Sequence, residues 1–268
     1  MRRGCNCISL KSNFLPMKTI LFSSLLLAAF LMVIAFNKPP AKNSSNNKAV
    51  TANSRMVVLE LFTSEGCSSC PAADKIAARL SEEYKGKLLV LGFHVDYWNS
   101  LGWKDIYSSS ACTQRQQWYA QQFRSASVYT PQAVINGKDE LVGSDENRLR
   151  SLINKYLSST STTSLQINTQ TEGNTIRVNY IAINPGEAIV HFALVQLHAV
   201  TEVRNGENSG SRLQHINVVR DFVSEAVQSS NKGTATLTVP EGLTAKDYSI
   251  VAYLQQKNGN IIAAVKTE

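Results

Sequence analysis

The chain reads as an α/β domain followed by an all-β domain, and three observations predict that order. An apolar, β-prone run from Val57 to Phe62 passes through a polar turn into Cys67-Ser68-Ser69-Cys70-Pro71 and then an Ala-rich helical pattern, the start of a β-α-β unit. From Ser164 onward seven short strand-like runs follow, many of them separated by turn signals such as Asn184-Pro185-Gly186, Asn205-Gly206 and Asn258-Gly259-Asn260. That is the pattern of an immunoglobulin-like β-sandwich. Between the two halves, Ser158 to Ser164 is a polar, low-complexity run suited to a linker. The expected organisation is a leader over residues 1–36, a flexible tether over 37–55, the α/β domain over 56–157, the linker over 158–164 and the sandwich over 165–268.

The N-terminal stretch sets the compartment. Lys18 precedes an uncharged apolar run from Ile20 to Phe36, the layout of an export signal. Two readings stand: cleavage near Val33-Ile34-Ala35, or retention as a membrane anchor through residues 19–36, since the run is near the lower length limit for spanning a bilayer. Met17 is a natural start for such a signal, which leaves Cys5 and Cys7 in an upstream extension. The formal charge of +7 also belongs here, because residues 1–55 hold eight of the 27 Lys and Arg and no acid, leaving 19 bases against 20 acids in the rest. Nucleic acid is therefore not an expected partner. The protein is expected outside the cytoplasm, periplasmic or secreted, where an oxidising environment lets a dithiol cycle or lock.

In the α/β half, the helix is expected over Cys70 to Lys85, with Ile76, Leu80 and Tyr84 on its buried stripe and Gly86 ending it. Lys87 to Phe93 is a nearly continuous apolar run, the mark of a buried parallel strand. His94 to Ser127 interrupts the alternation with an aromatic and helical insertion that holds Trp98, Trp103 and Trp118 and a helix from Ser110 to Phe123. This cluster is read as the insertion's own core, with an aromatic surface for a bound peptide as the other reading. Asn136-Gly137 predicts a hairpin, and Ser144 to Leu157 a closing helix with Leu149, Leu152, Ile153 and Tyr156 on one face.

With the dithiol, the β-α-β unit and Thr130-Pro131 before a hairpin in place, the first half resembles the thioredoxin fold. More narrowly, the chain resembles the exported thioredoxin-like family catalogued as domain of unknown function 1223. The residues that carry the likeness are Glu60 to Pro71, His94-Val95-Asp96-Tyr97-Trp98, Leu101 to Asp105, Arg115-Gln116, Tyr129 to Gln132, and Asn208-Ser209-Gly210 with Asn217 to Asp221. The wider thioredoxin-like pattern implies that Cys67 is the attacking thiolate, Cys70 the resolving thiol and Pro131 a cis-proline facing the dithiol. It also implies that the backbone of Thr130 is left free for an extended substrate. Two departures stand out: Gly66 occupies the place of a tryptophan, and the proline follows the dithiol instead of lying inside it.

A lone C-x-x-C has three readings: redox dithiol, half of a zinc site, or a fixed disulfide. The strand-turn-helix setting favours the redox reading, because unpaired N–H groups and the dipole at a helix start stabilise a thiolate. Glu60, between Leu59 and Leu61, is a candidate proton acceptor for Cys70. The expected function is thus thiol-disulfide exchange on a protein or small-molecule disulfide or dithiol, with Cys67, Cys70, Pro131 and Glu60 in catalysis and Thr130 and Trp98 against substrate. No cofactor is expected. The first alternative is a copper- or zinc-handling protein in which Cys67, Cys70, His94 and Cys112 form a soft ligand set. The second is a cell-envelope binding module whose sandwich does the recognising. His191, His198, His215 and Arg220-Asp221 are read as structural.

Overall fold

The strand, helix and turn patterns recur in the computed structural model, in an arrangement that joins what the sequence separates. The structure describes residues 48–51 and 56–267. The leader, with Cys5, Cys7 and Met17, and most of the tether lie outside the described residues. In order come β1 (Lys48–Thr51), β2 (Val57–Thr63), α1 (Cys70–Glu83), β3 (Leu88–His94), a 3-10 turn (Tyr97–Leu101), α2 (Ser110–Phe123), β4 (Gln132–Ile135), β5 (Asp139–Val142) and α3 (Glu146–Leu157). Then follow β6 (Ser164–Glu172), β7 (Thr175–Ile183), β8 (Ala188–Glu202), β9 (Arg212–Ala226), β10 (Lys232–Thr238), β11 (Tyr248–Gln256) and β12 (Ile261–Lys266). The tether reading misses β1, which pairs antiparallel with β6.

β2 and β3 run parallel with α1 as their crossover, and every residue of both strands is buried, which explains their unbroken apolar runs. On β2, Val57, Leu59 and Leu61 face α1 and α3 and form one core with Ala73, Ala77, Leu80, Leu149 and Ile153. Val58 and Phe62 point the other way, into a core with Phe93, Cys112, Tyr119 and Tyr253. The stripe of α1 is rotated from expectation: Ala73, Ala77 and Leu80 are fully buried, while Ile76 and Tyr84 pack at the edge of the core. Asn136 and Gly137 take φ of 47° and 65°, the positive values of a type I′ hairpin. Gly137 is required twice over, since a Cβ there would lie 1.9 Å from the carbonyl oxygen of Gly259.

The expectation of a thioredoxin-like α/β domain followed by a separate immunoglobulin-like sandwich is overturned. One mixed sheet of eight strands, in the order β12-β11-β8-β9-β3-β2-β4-β5, runs through both halves, and a four-stranded sheet, β1-β6-β7-β10, packs on its all-β end. The joint is a parallel bridge between Gly92 of β3 and Val218 of β9. The reason is the edge: β3 would otherwise expose a row of unpaired backbone groups, and β9 covers it. The described residues accordingly belong to one compact unit. No helix among the described residues is long and apolar enough to cross a membrane.

One consequence positions the site. Beyond Gln196, β8 no longer pairs with β11, so the outer parts of β8 and β9 pair only with each other, from His198↔Ile216 to Glu202↔Arg212. This two-stranded arm runs past α1, and its tip, residues 203–211, ends on the dithiol loop.

Candidate functional site

The site is built where β2 ends. Thr63 to Ser69 turn the chain into α1, with Cys70 as its first residue and Pro71 in the first turn, a position that tolerates proline because the missing N–H has no intrahelical partner there. Cys67 and Cys70 are disulfide-bonded with Cα atoms 5.4 Å apart. Both are buried, at 1% and 0% exposure, whereas Ser68 and Ser69 between them are exposed. The Cys70 N–H donates to the Cys67 carbonyl at 3.2 Å, and the Ser69 hydroxyl lies 3.4 Å from Cys67 Sγ.

Three walls enclose this loop. On one side, Trp98 leans so closely on Gly66 that a Cβ there would meet Trp98 Cβ at 3.2 Å, which accounts for glycine where a tryptophan was looked for. The Trp98 indole N–H donates to Thr130 Oγ1 at 2.8 Å and so ties the dithiol loop to the segment before β4. There the Thr130–Pro131 peptide bond is cis, and Pro131 is buried beside Gly143, whose other neighbours are Leu61 and Ala73 in the first turn of α1. Among the described residues no backbone group pairs with the Thr130 N–H or C=O.

The second wall is the arm tip. The Asn208 side-chain amide donates to the carbonyls of both Glu65 (2.8 Å) and Cys67 (2.9 Å), and a Glu207 carboxylate oxygen accepts from the Ser68 N–H at 3.0 Å. Between α1 and the arm lies a groove of about 570 Å³, bordered by Ser68 and Lys75 on one bank and Asn208, Arg212 and Gln214 on the other.

The third wall is a buried polar cluster under the loop. Glu65 is fully buried; its N–H donates to Asp105 Oδ2 at 2.9 Å, and its Oε2 accepts from the Trp103 indole at 2.8 Å. His215, from the arm, places Nδ1 3.1 Å from Asp74 Oδ2 and Nε2 3.4 Å from Glu65 Oε1. Burial alone would lower the His215 pKa, but the hydrogen bond to Asp74 and the charges of Asp74 and Glu65 outweigh it and raise it to about 9. The imidazole is thus held toward its charged form by a hydrogen bond to Asp74 on one side and, on the other, by the charge of Glu65 at a distance that makes no hydrogen bond. Its ring stands edge-on to His94, with centroids 4.7 Å apart, and His94 Nδ1 donates to Asp105 at 2.6 Å. Burial opposes ionisation of Asp105, yet His94 and the N–H groups of Glu65 and Tyr107 hold its pKa below the ordinary value.

The structure thus brings together Cys67, Cys70, Trp98, Thr130 and Pro131, and sets His94 in the cluster beneath them. It does not bring Glu60 to the dithiol. That carboxylate projects from the face of β2 opposite α1, because side chains alternate along a strand, and it is wholly buried. Arg115 donates to both of its oxygens at 3.0 and 3.1 Å, Tyr253 at 2.6 Å, and Tyr119 as well. Its work is to bind α2 and β11 to β2. Cys112 is free and buried on that same side, beside the Ser109 hydroxyl, and desolvation pushes its pKa up to about 11. Among the described residues no three His, Cys, Asp or Glu side chains are gathered to hold a metal ion, so the set of Cys67, Cys70, His94 and Cys112 is not assembled. The tryptophans join a core, though not one private to the insertion: Trp98 and Trp118 pack against the cluster that α2 shares with the sheet, while Trp103 donates to Glu65 of the dithiol loop.

Sequence reasoning includes Glu65, Asp105 and Asn208 only among the residues that carry the family likeness, passes over Asp74 and Glu207, and reads His215 as structural. Asp74 had a local signal, lying one helical turn after Cys70, and Glu65 is two residues before Cys67. Glu207 and Asn208 at the arm tip and His215 on β9 had none beyond the likeness of that region to a family stretch.

Residues 58–255 match the family model described as "Protein of unknown function (DUF1223)". Among solved structures, the chain is similar to the crystal structure of an Agrobacterium tumefaciens protein determined in a structural genomics programme. The two are 27% identical with a TM-score of 0.61, and the match covers 81% of this chain and 95% of that one. Among curated proteins none matches.

Proposed function

The chain belongs to the DUF1223 family, and on the strength of its site we propose that Cys67 and Cys70 carry out thiol-disulfide exchange. The observation that supports this reading is the placement of a closed disulfide at the first turn of α1, in a loop packed on Trp98, which hydrogen-bonds Thr130, whose N–H and C=O have no backbone partner among the described residues. In the reduced protein, the Cys67 thiolate attacks one sulfur of a substrate disulfide, forming a mixed disulfide and expelling the other substrate sulfur as a thiolate. Cys70 then loses its proton and attacks Cys67 Sγ, which restores the Cys67–Cys70 bond and releases the second substrate thiolate. Two electrons pass from the dithiol to the substrate, and the reverse sequence oxidises a substrate dithiol. Because both sulfurs are buried, exchange requires the loop to part from Asn208 or Trp98.

The basic, apolar leader supports an extracytoplasmic setting, in which such a bond persists. The test is Cys70→Ser, which should accumulate a covalent partner through Cys67 that reductant releases. A Cys70→Ser protein that traps nothing, together with a Cys67→Ser/Cys70→Ser protein that supports full biological function, would sink the reading. Metal analysis of the same sample separates it from a copper or zinc protein.

A further inference from the structure

Resting on the exchange reading, we propose that the groove between α1 and the arm is a docking site for an extended, acidic peptide, so that the substrate is a protein and not a small disulfide. The first support is a free strand edge. In the arm, the Val203 N–H donates to the Ser211 carbonyl, and continuing the antiparallel alternation turns the backbone groups of Leu213 and His215 toward β8 and those of Arg212, Gln214 and Ile216 away from it. Val218, two residues further along the same edge, is the residue that bridges to β3. Among the described residues no strand takes that edge at Arg212 or Gln214. An open edge is a template for a further strand, and here it borders a groove that ends at Ser68, next to Cys67. At about 570 Å³ the groove has the size of a ligand cleft, about 300–1,000 Å³.

The second support is charge. Lys75 on one bank has no ionic partner among the described residues, and Arg212 on the other meets only the exposed Glu202 at 3.3 Å. The acid of the floor, Asp74, is spoken for by His215. Glu207 holds the dithiol end, where it accepts from Ser68 N–H. An incoming chain with acids two to four residues from its cysteine therefore meets Lys75 and Arg212 while keeping clear of Glu207. The peptide backbone pairs with Arg212 and Gln214, and its cysteine reaches the loop.

The experiment uses the full chain and fluorescent peptides in which the cysteine is replaced by serine, so that binding is read apart from chemistry. An Asp/Glu-flanked peptide should bind at least tenfold more tightly than a Lys/Arg-flanked one at low ionic strength. Lys75→Glu/Arg212→Glu, two exposed positions outside the dithiol machinery, should reverse that order. N-methylation at alternate peptide residues should weaken binding about tenfold in one phase and not in the other, as pairing along one strand edge demands. Equal binding of both peptides, indifference to the charge reversal, or equal effects of the two methylation phases would each overturn the proposal. Reduction of the mixed disulfide between glutathione and a cysteine-containing peptide by the reduced protein tests the exchange reading separately: equal reaction of acid-flanked and base-flanked peptides with no binding preference refutes the groove alone. Preferential binding of the acid-flanked peptide with no reduction of either mixed disulfide refutes the exchange alone.

Discussion

His215 makes the stability of this protein depend on pH over a defined window. Its pKa stands at about 9 in the folded chain against an ordinary 6.5, because Asp74 and Glu65 bind its protonated form. A folded pKa above the unfolded one means that the stabilisation is complete below about pH 6.5 and is lost as pH rises toward 9. At 1.36 kcal/mol per tenfold change in proton affinity, a rise from 6.5 to about 9 is worth about 3 kcal/mol. Urea unfolding of the oxidised protein, followed by tryptophan fluorescence at pH 6 and pH 9.5, measures the loss directly. His215→Gln keeps a donor toward Asp74 and much of the ring's volume but cannot titrate. Other groups that ionise in this range, Cys112 among them, are common to both proteins and cancel in the comparison. The wild type should lose about 3 kcal/mol more than the variant across the interval. An identical pH dependence in the two proteins would refute the charged contact of His215 with Asp74.

Two further outcomes follow from the opposite face of the sheet. Arg115→Met leaves the fully buried Glu60 without its countercharge and should destabilise by about 3–5 kcal/mol in urea unfolding, and adding Glu60→Gln should return much of that loss. A single variant as stable as the wild type would show that the pair is not holding α2 and β11 to β2. Cys112, buried and with its pKa raised to about 11, should be silent to Ellman's reagent at pH 8. Cys112→Ser should leave the native thiol count unchanged and lower the count in urea by one.

Much of this molecule was legible because much of it is local. Alternation and turn chemistry placed the strands of the all-β half to within a few residues, and Asn136-Gly137 gave the hairpin, since each signal is carried within a short window. The dithiol at the start of α1 was equally readable. What failed was pairing between distant segments. Nothing near Gly92 announces Val218, and the linker-like run at Ser158–Ser164 suggested a boundary that the sheet crosses. The same blindness hid the site's surroundings: Glu60 looked like an acid near the dithiol because it precedes it by seven positions, yet the pleat turns it the other way. His215 looked like a stray strand residue and sits beneath the loop.

The bond from Asn208 to the carbonyl of Cys67 spans 141 positions of sequence, and that span bears on how the protein is made. A chain emerging from its N-terminus presents β2, α1 and β3 long before the arm exists. Until β9 arrives, the edge of β3 is uncovered and the dithiol loop has neither Asn208 nor His215 against it. The newborn loop is therefore at its most open to oxidants and to foreign strands, and contacts of such long range close slowly. The cover of the dithiol is therefore a late product of synthesis: only a chain that has extended through β9 brings Asn208 and His215 to its sulfurs.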